Sequence, residues 1–301
     1  MTQDRFVGCL LGLALGDALG APFEGGPIER LLWRLIGTTN HGEMRWTDDT
    51  QMSLDLAESL LDKGMLDVDD LAGRFAMGYR WSRGYGPGTA KLLTRIRKGA
   101  DWKNAARSVY PDGSFGNGGA MRSPIVGLFY ARRPDELVEA ARVSASVTHA
   151  HPLGMEGAVL TACATALALE GNDAVGIFSG AAKQCKSAPF TGRLALAGNW
   201  LRSGQEQTPK NVARQSGNGI SASESCVTAL YFAARFLNRS FNDMQQAVIK
   251  VGGDVDTIGA MAGAIWGAAN GVGGLPQDKL KKLEQAGRLR DVALALYEKR
   301  S

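Results

Sequence analysis

Residues 8–20 read GCLLGLALGDALG, and residues 259–267 read GAMAGAIWG. Glycine returns at every fourth position: Gly8, Gly12, Gly16 and Gly20 in the first stretch, Gly259, Gly263 and Gly267 in the second. On an α-helix this spacing clears one face of side chains, so that another backbone can come close. The two stretches therefore read as central helices of a tightly packed bundle. Helical spacing continues outward from them. Met52, Leu56 and Leu60 share one face of QMSLDLAESLLDKG (51–64). The same period runs through DDLAGRFAMGYRWS (69–82), PDELVEAARVSAS (134–146), MEGAVLTACATALALEG (155–171) and CVTALYFAARFL (226–237). Gly64, Gly171 and Gly274 with Pro276 are expected to close helices, and Asp69 and Thr257 to open them. Alternating strand patterns are nearly absent, so the expected class is all-α. No linker, composition shift or internal repeat interrupts residues 1–301, and a single domain is expected.

Composition narrows the function. The 301 residues are 45% apolar, enough for a substantial core, and the formal charge of +4 is too small and scattered for a nucleic-acid groove. It suits an anionic small ligand. Cys9, Cys163, Cys185 and Cys226 form no CxxC pair, and three histidines leave no zinc pattern, so buried thiols in a reducing compartment are expected. Two stretches are apolar enough to resemble a leader or a membrane span, RFVGCLLGLALGDALGAPF (5–23) and TIGAMAGAIWGAANGVGGL (257–275). Asp17 breaks the first, and glycine and alanine dominate the second, which reads as a buried helix. A cytoplasmic monomer without membrane or direct nucleic-acid contact is the expectation.

Two acidic clusters stand some two hundred residues apart, TDDT at 47–50 and DVDT at 254–257. Each falls at the start of a helical segment, and helix capping alone would account for either one. Together they hold four aspartates, more than caps require. If both helix starts converge, unscreened like charges oppose folding unless a cation lies between them. Carboxylate and hydroxyl oxygens are hard ligands suited to Mg²⁺, Mn²⁺ or Ca²⁺, and two cations sharing an aspartate would use all four acids. Between the clusters lies DGSFGNGGAMRSP (112–124), whose Gly113, Gly116, Gly118 and Gly119 free the backbone to wrap an anion, with a helix starting near Ala120. Phe115 is placed to stack on a base. The plain alternative is a flexible loop. A second glycine loop, RGYGPGT (83–89), and the histidines of THAHP (148–152) complete the candidate set; His149 or His151 would meet a phosphate or ribose oxygen.

GCLLGLALGDALGAPFE, WTDDTQM, RGYGPG, GSFGNGGAMR, THAHPLGMEGAVL and GGDVDTIGAMAGAIWGA occur in the order and spacing of the ADP-ribosyl-glycohydrolase superfamily, the dinitrogenase-reductase-activating type. The resemblance runs from about Phe6 to Gly274 and is thinnest over 171–215. RGYGPG, GNGGAMR and GISASESCVTALY look closest to the branch that cleaves O-linked ADP-ribose, on serine and in ADP-ribose polymers. The resemblance implies an all-helical fold with two Mg²⁺ ions, Mn²⁺ being the other option. Thr47, Asp48 and Asp49 would hold one ion, Asp254 and Thr257 the other, and Asp256 would bridge. Glu24 matches a glutamate that takes part in catalysis with Asp48, Asp49 and Asp256. ADP-ribose would be held by Gly84, Gly86 and Gly88, by Gly113, Ser114, Phe115, Gly116, Asn117, Gly118 and Gly119, and by His149. Tyr110 would close the other side of an adenine clamp. The substrate would be an ADP-ribosylated protein or another ADP-ribose conjugate. Val255 departs from the family's usual threonine, but the oxygen ligands on either side of it are intact.

Three other readings compete. DVDT resembles the DxDxT of aspartyl-phosphate phosphotransferases, but that motif follows an apolar strand and here GG precedes it. A non-catalytic ADP-ribose reader would not need the full ligand set and Glu24. A hydrolase of arginine-linked ADP-ribose would differ only in a few residues at the leaving group.

Overall fold

The computed structural model describes residues 1–299, and among them are seventeen α-helices, four short 3₁₀ turns and no β-sheet, only three isolated bridges. The Gln3–Gly20 and Val255–Asn270 helices form the axis and pack on each other more extensively than any other pair. They run antiparallel with their glycine stripes face to face. A Cβ built on Gly8 would lie 2.5 Å from the Gly267 carbonyl oxygen, and one on Gly20 would lie 2.6 Å from Asp256 Cα. Gly12 faces Gly263 and Gly16 faces Gly259 in the same register. Both helices are buried along nearly their whole length, which explains their lack of a polar face. The 257–275 stretch is thus a core helix followed by a loop.

The remaining helices wrap this axis. Pro152–Glu170 and Ala222–Arg235 cover one side, while Asp48–Lys63 and the closing Ala286–Lys299 helix cover the other. One connected apolar cluster runs from Phe6 to Leu296 and contains all four cysteines, each a buried free thiol. Met52, Leu56 and Leu60 are fully buried within it. Gly64 and Gly171 close their helices in the left-handed conformation.

Several boundaries differ from expectation. Asp67 rather than Asp69 caps the Val68–Gly78 helix, because its carboxylate accepts from the amides of Asp69 and Asp70. Asp254 rather than Thr257 precedes the Val255–Asn270 helix, and that helix ends at Gly271 (φ +75°) rather than at Gly274. No α-helix starts at Ala120. A 3₁₀ turn spans Asn117–Gly119, and the next α-helix, Pro124–Phe129, waits for a proline at its first position.

Candidate metal and ADP-ribose site

The antiparallel axis places the C-terminal end of the first helix beside the N-terminal end of the Val255–Asn270 helix. The N-terminal end of Asp48–Lys63 arrives at the same point. Thr47 caps that helix, its hydroxyl accepting from the Asp49 amide at 3.3 Å. The Thr257 hydroxyl donates to Asp49 Oδ1 at 3.3 Å across 208 residues of sequence. Two helix N-termini therefore share one pocket floor, and their dipoles favour the negative charge gathered there.

Five acids crowd this floor. Carboxylate oxygens of Asp17, Asp49 and Asp256 lie within 4.8 Å of one another, and so do those of Glu24, Asp254 and Asp256. Asp256 belongs to both groups. Asp48, half-buried, lines the same cavity beside them. Burial, then the charges of neighbouring acids, pushes Asp48, Asp49 and Asp256 well above the usual carboxylate range. Burial and the charge of Asp254 raise Glu24 to about 6. Asp49 Oδ2 is buried with no hydrogen-bond donor. Uncompensated acceptors of this kind are costly, and a hard divalent cation is the group their chemistry fits. Asp17, Asp49 and Asp256 would hold one ion and Glu24, Asp254 and Asp256 a second, with Thr47, Asp48 and Thr257 as further oxygen donors at the same floor.

Asp17 is the member that sequence reasoning missed. It is fully buried, and its carboxylate accepts from the Thr47 amide at 2.9 Å, the Thr50 amide at 3.1 Å and the Thr50 hydroxyl at 2.5 Å. It thus ties the TDDT turn to the central helix. Burial raises it to about 6 against the opposing pull of these hydrogen bonds. The available signal was one charged residue, Asp17, in the otherwise uncharged glycine-striped stretch 6–20.

Above the acids lies a cavity of about 200 Å³. Ser114, Gly116, Asn117, Gly118 and His149 line one wall, and Gly84, Gly86 and Thr89 another. Tyr110 and Ser114 also border an adjoining cavity of about 190 Å³ that runs toward Gly113 and Thr148. The 112–119 loop is pinned rather than loose. Its Asn117 amide donates to Ile220 O at 3.0 Å, Ala222 N donates to Phe115 O at 3.1 Å, and the buried Arg122 donates to Gly118 O at 2.6 Å. Asn117 spends its side-chain amide on Asp254 and on Ser225 Oγ, so it links the loop to the acids.

The other expected residues divide. His149 is buried beneath Gly118, its Nδ1 paired with the Thr148 hydroxyl at 2.7 Å, and burial followed by the charge of Arg122 lowers it to about 3. The ring is neutral. His151 instead caps the Pro152–Glu170 helix, its Nδ1 accepting from Leu153 N. Phe115 is half-exposed and meets His151 edge-on with ring centroids 5.9 Å apart, outside the cavity wall. Gly88 packs against Tyr110, Gly119 lies beneath the loop against Ala145, and Gly113 takes a left-handed φ of +81° against the His151 backbone. These three glycines shape the loops rather than face the main cavity.

A brace behind the site was also illegible in the sequence. Arg83, buried, donates to both Glu284 carboxylate oxygens at 2.7 and 2.8 Å and to Trp46 O at 2.7 Å, and its guanidinium lies 3.5 Å from the Trp46 ring centroid. Trp46 Nε1 in turn donates to Glu284 O. The residue before Thr47 and the residue before Gly84 are thereby locked to the C-terminal segment.

Comparison with known proteins converges on one relationship. The chain is 34% identical to ADP-ribosylhydrolase ARH3 of Mus musculus, the match covering 91% of this chain and 85% of the mouse protein. It is 35% identical to ADP-ribosylhydrolase ARH3 of Bos taurus, covering 91% and 87%. A solved structure described as an ADP-ribosylglycohydrolase-related protein complex superposes with a TM-score of 0.71 at 30% identity, covering 99% of both chains. The sequence profile for ADP-ribosylglycohydrolase matches residues 1–301, and with it the chain belongs to the ADP-ribosylglycohydrolase family.

Proposed function

We propose that this protein hydrolyses the O-glycosidic bond at the anomeric carbon of ADP-ribose, in serine-linked ADP-ribose and ADP-ribose polymers, and so reverses ADP-ribosylation. The observation that carries this reading is the pair of buried acid groups sharing Asp256 beneath a pinned glycine loop. Two Mg²⁺ ions, or Mn²⁺, when bound would supply charge neutralisation, orientation of the ribose diol and a more acidic water. The remaining chemistry belongs to the chain. Cleavage of a ribosyl bond builds positive charge on the sugar and requires a proton at the leaving oxygen. Glu24 reaches the acids from the end of the Ala21–Phe23 turn, where its carboxylate oxygens stand beside Asp254 and Asp256 and can take or give that proton. Asp48, Asp49 and Asp256 stabilise the developing charge, and Asp17 holds the TDDT turn in register.

The two adjoining cavities give the substrate its length. Ser114, Gly116 and Gly118 would cradle the diphosphate, opposed by Gly84 and Gly86, and neutral His149 would hydrogen-bond a ribose or phosphate oxygen. Tyr110 and Phe115 flank the outer end where the adenine would lie. Such contacts, remote from the breaking bond, provide orientation for the chemistry. Support for the O-linked class comes from RGYGPG, GNGGAMR and GISASESCVTALY and from the similarity to the ARH3 proteins. The protein is taken to act as a cytoplasmic monomer on ADP-ribosylated proteins or related conjugates, without nucleic acid.

The test is turnover by the purified protein with Mg²⁺ on serine-linked, arginine-linked and polymeric substrates, beside Glu24→Ala. Free ADP-ribose should appear from the serine-linked and polymeric substrates and vanish in the variant. Release confined to the arginine-linked substrate would refute the linkage, and tight ADP-ribose binding without turnover would refute catalysis.

A further inference from the structure

Arg122 is 0% exposed, yet among the described residues no carboxylate stands within ion-pair distance of it. Its two terminal nitrogens donate to neutral carbonyls, Gly118 O at 2.6 Å and Ser144 O at 2.8 Å, and its buried Nε has no acceptor. The guanidinium lies 4.7 Å from the Phe75 ring centroid. Asp48 is the acid whose charge reaches it, from beyond contact. A cation taken out of water is costly unless an anion pairs with it, and an apolar side chain of similar volume in its place is often neutral or stabilising. A neutral donor can satisfy a carbonyl, so pinning the loop does not by itself call for a charge.

The cavity in front of Arg122 lacks what it carries. Every charged side chain on the wall of the 200 Å³ cavity is an acid: Glu24, Asp48, Asp49, Asp254 and Asp256. His149 on the same wall is neutral. Two divalent ions at the floor would offset four of these five charges and leave no surplus for a diphosphate. Arg107 borders the adjoining cavity, but it is exposed, where water and salt screen its charge. Arg122 sits directly behind the wall. Gly118 lines the cavity and lies against the His149 ring, and the bond from Arg122 to Gly118 O polarises the peptide joining Gly118 to Gly119, which sharpens its N–H as a donor. Across so little protein of low dielectric, a full charge acts on an anion far more strongly than it would across water.

We infer that Arg122 is the counter-charge of the substrate's diphosphate, a positioning residue that acts through the Gly118 peptide and sets the preference of this site for a dianionic over an uncharged nucleoside ligand. This rests on the proposed reading of the cavity as an ADP-ribose site, and its test keeps the two separate. With Mg²⁺ present, calorimetric titration measures ADP-ribose and ligand-observed NMR measures adenosine on the wild type, Arg122→Gln and Arg122→Lys, with circular dichroism to confirm folding. Arg122→Gln should weaken ADP-ribose about tenfold or more and adenosine by less than about twofold. Arg122→Lys also gives up the forked contact but keeps a charge, and at about pH 6, where a buried lysine is best held protonated, it should recover most of the lost affinity. Equal loss for both ligands, or equal loss in the glutamine and lysine variants, would reduce Arg122 to a strut of the loop and overturn the inference. A further readout needs no change at Arg122. Raising KCl from about 0.05 to about 0.5 M should weaken ADP-ribose binding to the wild type by about threefold or less, because a buried charge is little screened. A tenfold loss that disappears in Arg107→Gln would assign the charge to the surface and overturn the inference as well. A wild type that binds no ADP-ribose would remove both the site and its counter-charge, whereas a wild type and an Arg122→Gln protein that bind it equally well remove the counter-charge alone.

Discussion

Alanine at Gly8 is the most direct probe of the helix pair on which the site is built. Gly8 sits inside the first helix with an ordinary helical backbone, so propensity alone would make Gly8→Ala stabilising by about 1 kcal/mol. Packing opposes this. The new Cβ would fall 2.5 Å from Gly267 O, 2.5 Å from Gly271 C and 2.7 Å from Gly271 Cα, all backbone atoms that cannot swing away. Relief requires the two helices to part by close to an ångström, and overpacking of this kind costs about 1–3 kcal/mol or more. Four glycine registers would lose contact together, which puts Gly8→Ala at the upper end. The net loss is about 2 kcal/mol, a fall in Tm of roughly 3 °C for a chain of 301 residues. Gly73→Ala is the matched control, since Gly73 lies within the Val68–Gly78 helix with nothing within 4 Å of a new Cβ. It should raise stability by about 0.5–1 kcal/mol. Urea titration of both variants reads the difference. Gly8 is about 18 Å along the helix from Gly20, so turnover per folded molecule at low temperature should survive. A Gly8→Ala protein as stable as Gly73→Ala would refute the close backbone approach.

Asp256→Asn removes the acid common to both groups; thermal shift with Mg²⁺ or Mn²⁺ should stabilise the wild type by about 2–3 kcal/mol at a hundredfold excess over Kd and leave the variant nearly unmoved. Without divalents the same variant should be the more stable protein, because mutual repulsion is relieved. Asp55, remote from those acids, has an orphaned Oδ2 and is raised to about 7 by burial, so between about pH 4 and 7 the folded form holds a proton that the unfolded chain has lost. Wild-type stability should therefore fall as pH rises toward 7 and Asp55→Asn should escape the loss, gaining about 1–3 kcal/mol over wild type at pH 8 and little at pH 4 in denaturant titrations. Arg83→Lys keeps the charge but gives up the two-pronged bond to Glu284 and the flat stacking on Trp46; a loss of about 2–4 kcal/mol in stability is expected by calorimetry.

The central pair was readable because its information is local and periodic: glycines every fourth residue state that a backbone approaches, and two such stretches supply both partners. The acidic clusters were readable for a similar reason, since four aspartates at two helix starts exceed what capping needs. Asp17 was not, because a lone acid in an apolar run reads as an interruption until the partner amides of Thr47 and Thr50 are placed against it. Arg83 and Glu284 are 201 residues apart, and no pattern within either segment announces the other. Residue type alone could not place Phe115 half-exposed at the outer end of the loop, nor tell that His151 serves as the cap of the Pro152–Glu170 helix. Residues 27–36 received no assignment, although their spacing is helical, because amphipathic helices are read on the premise that the apolar side finds a core. Here it does not.

The antiparallel axis also orders events in time. Its two members are separated by about 235 residues, and a ribosome adding roughly 5–20 residues per second needs tens of seconds to deliver the second after the first. Throughout that interval the first helix is a naked, nearly uncharged glycine-ridged rod with no companion. Nascent chains of this protein should be clients of ribosome-associated chaperones, and the acids of the pocket assemble only at the close of synthesis, when Asp254 and Asp256 emerge to meet Asp17 and Asp49.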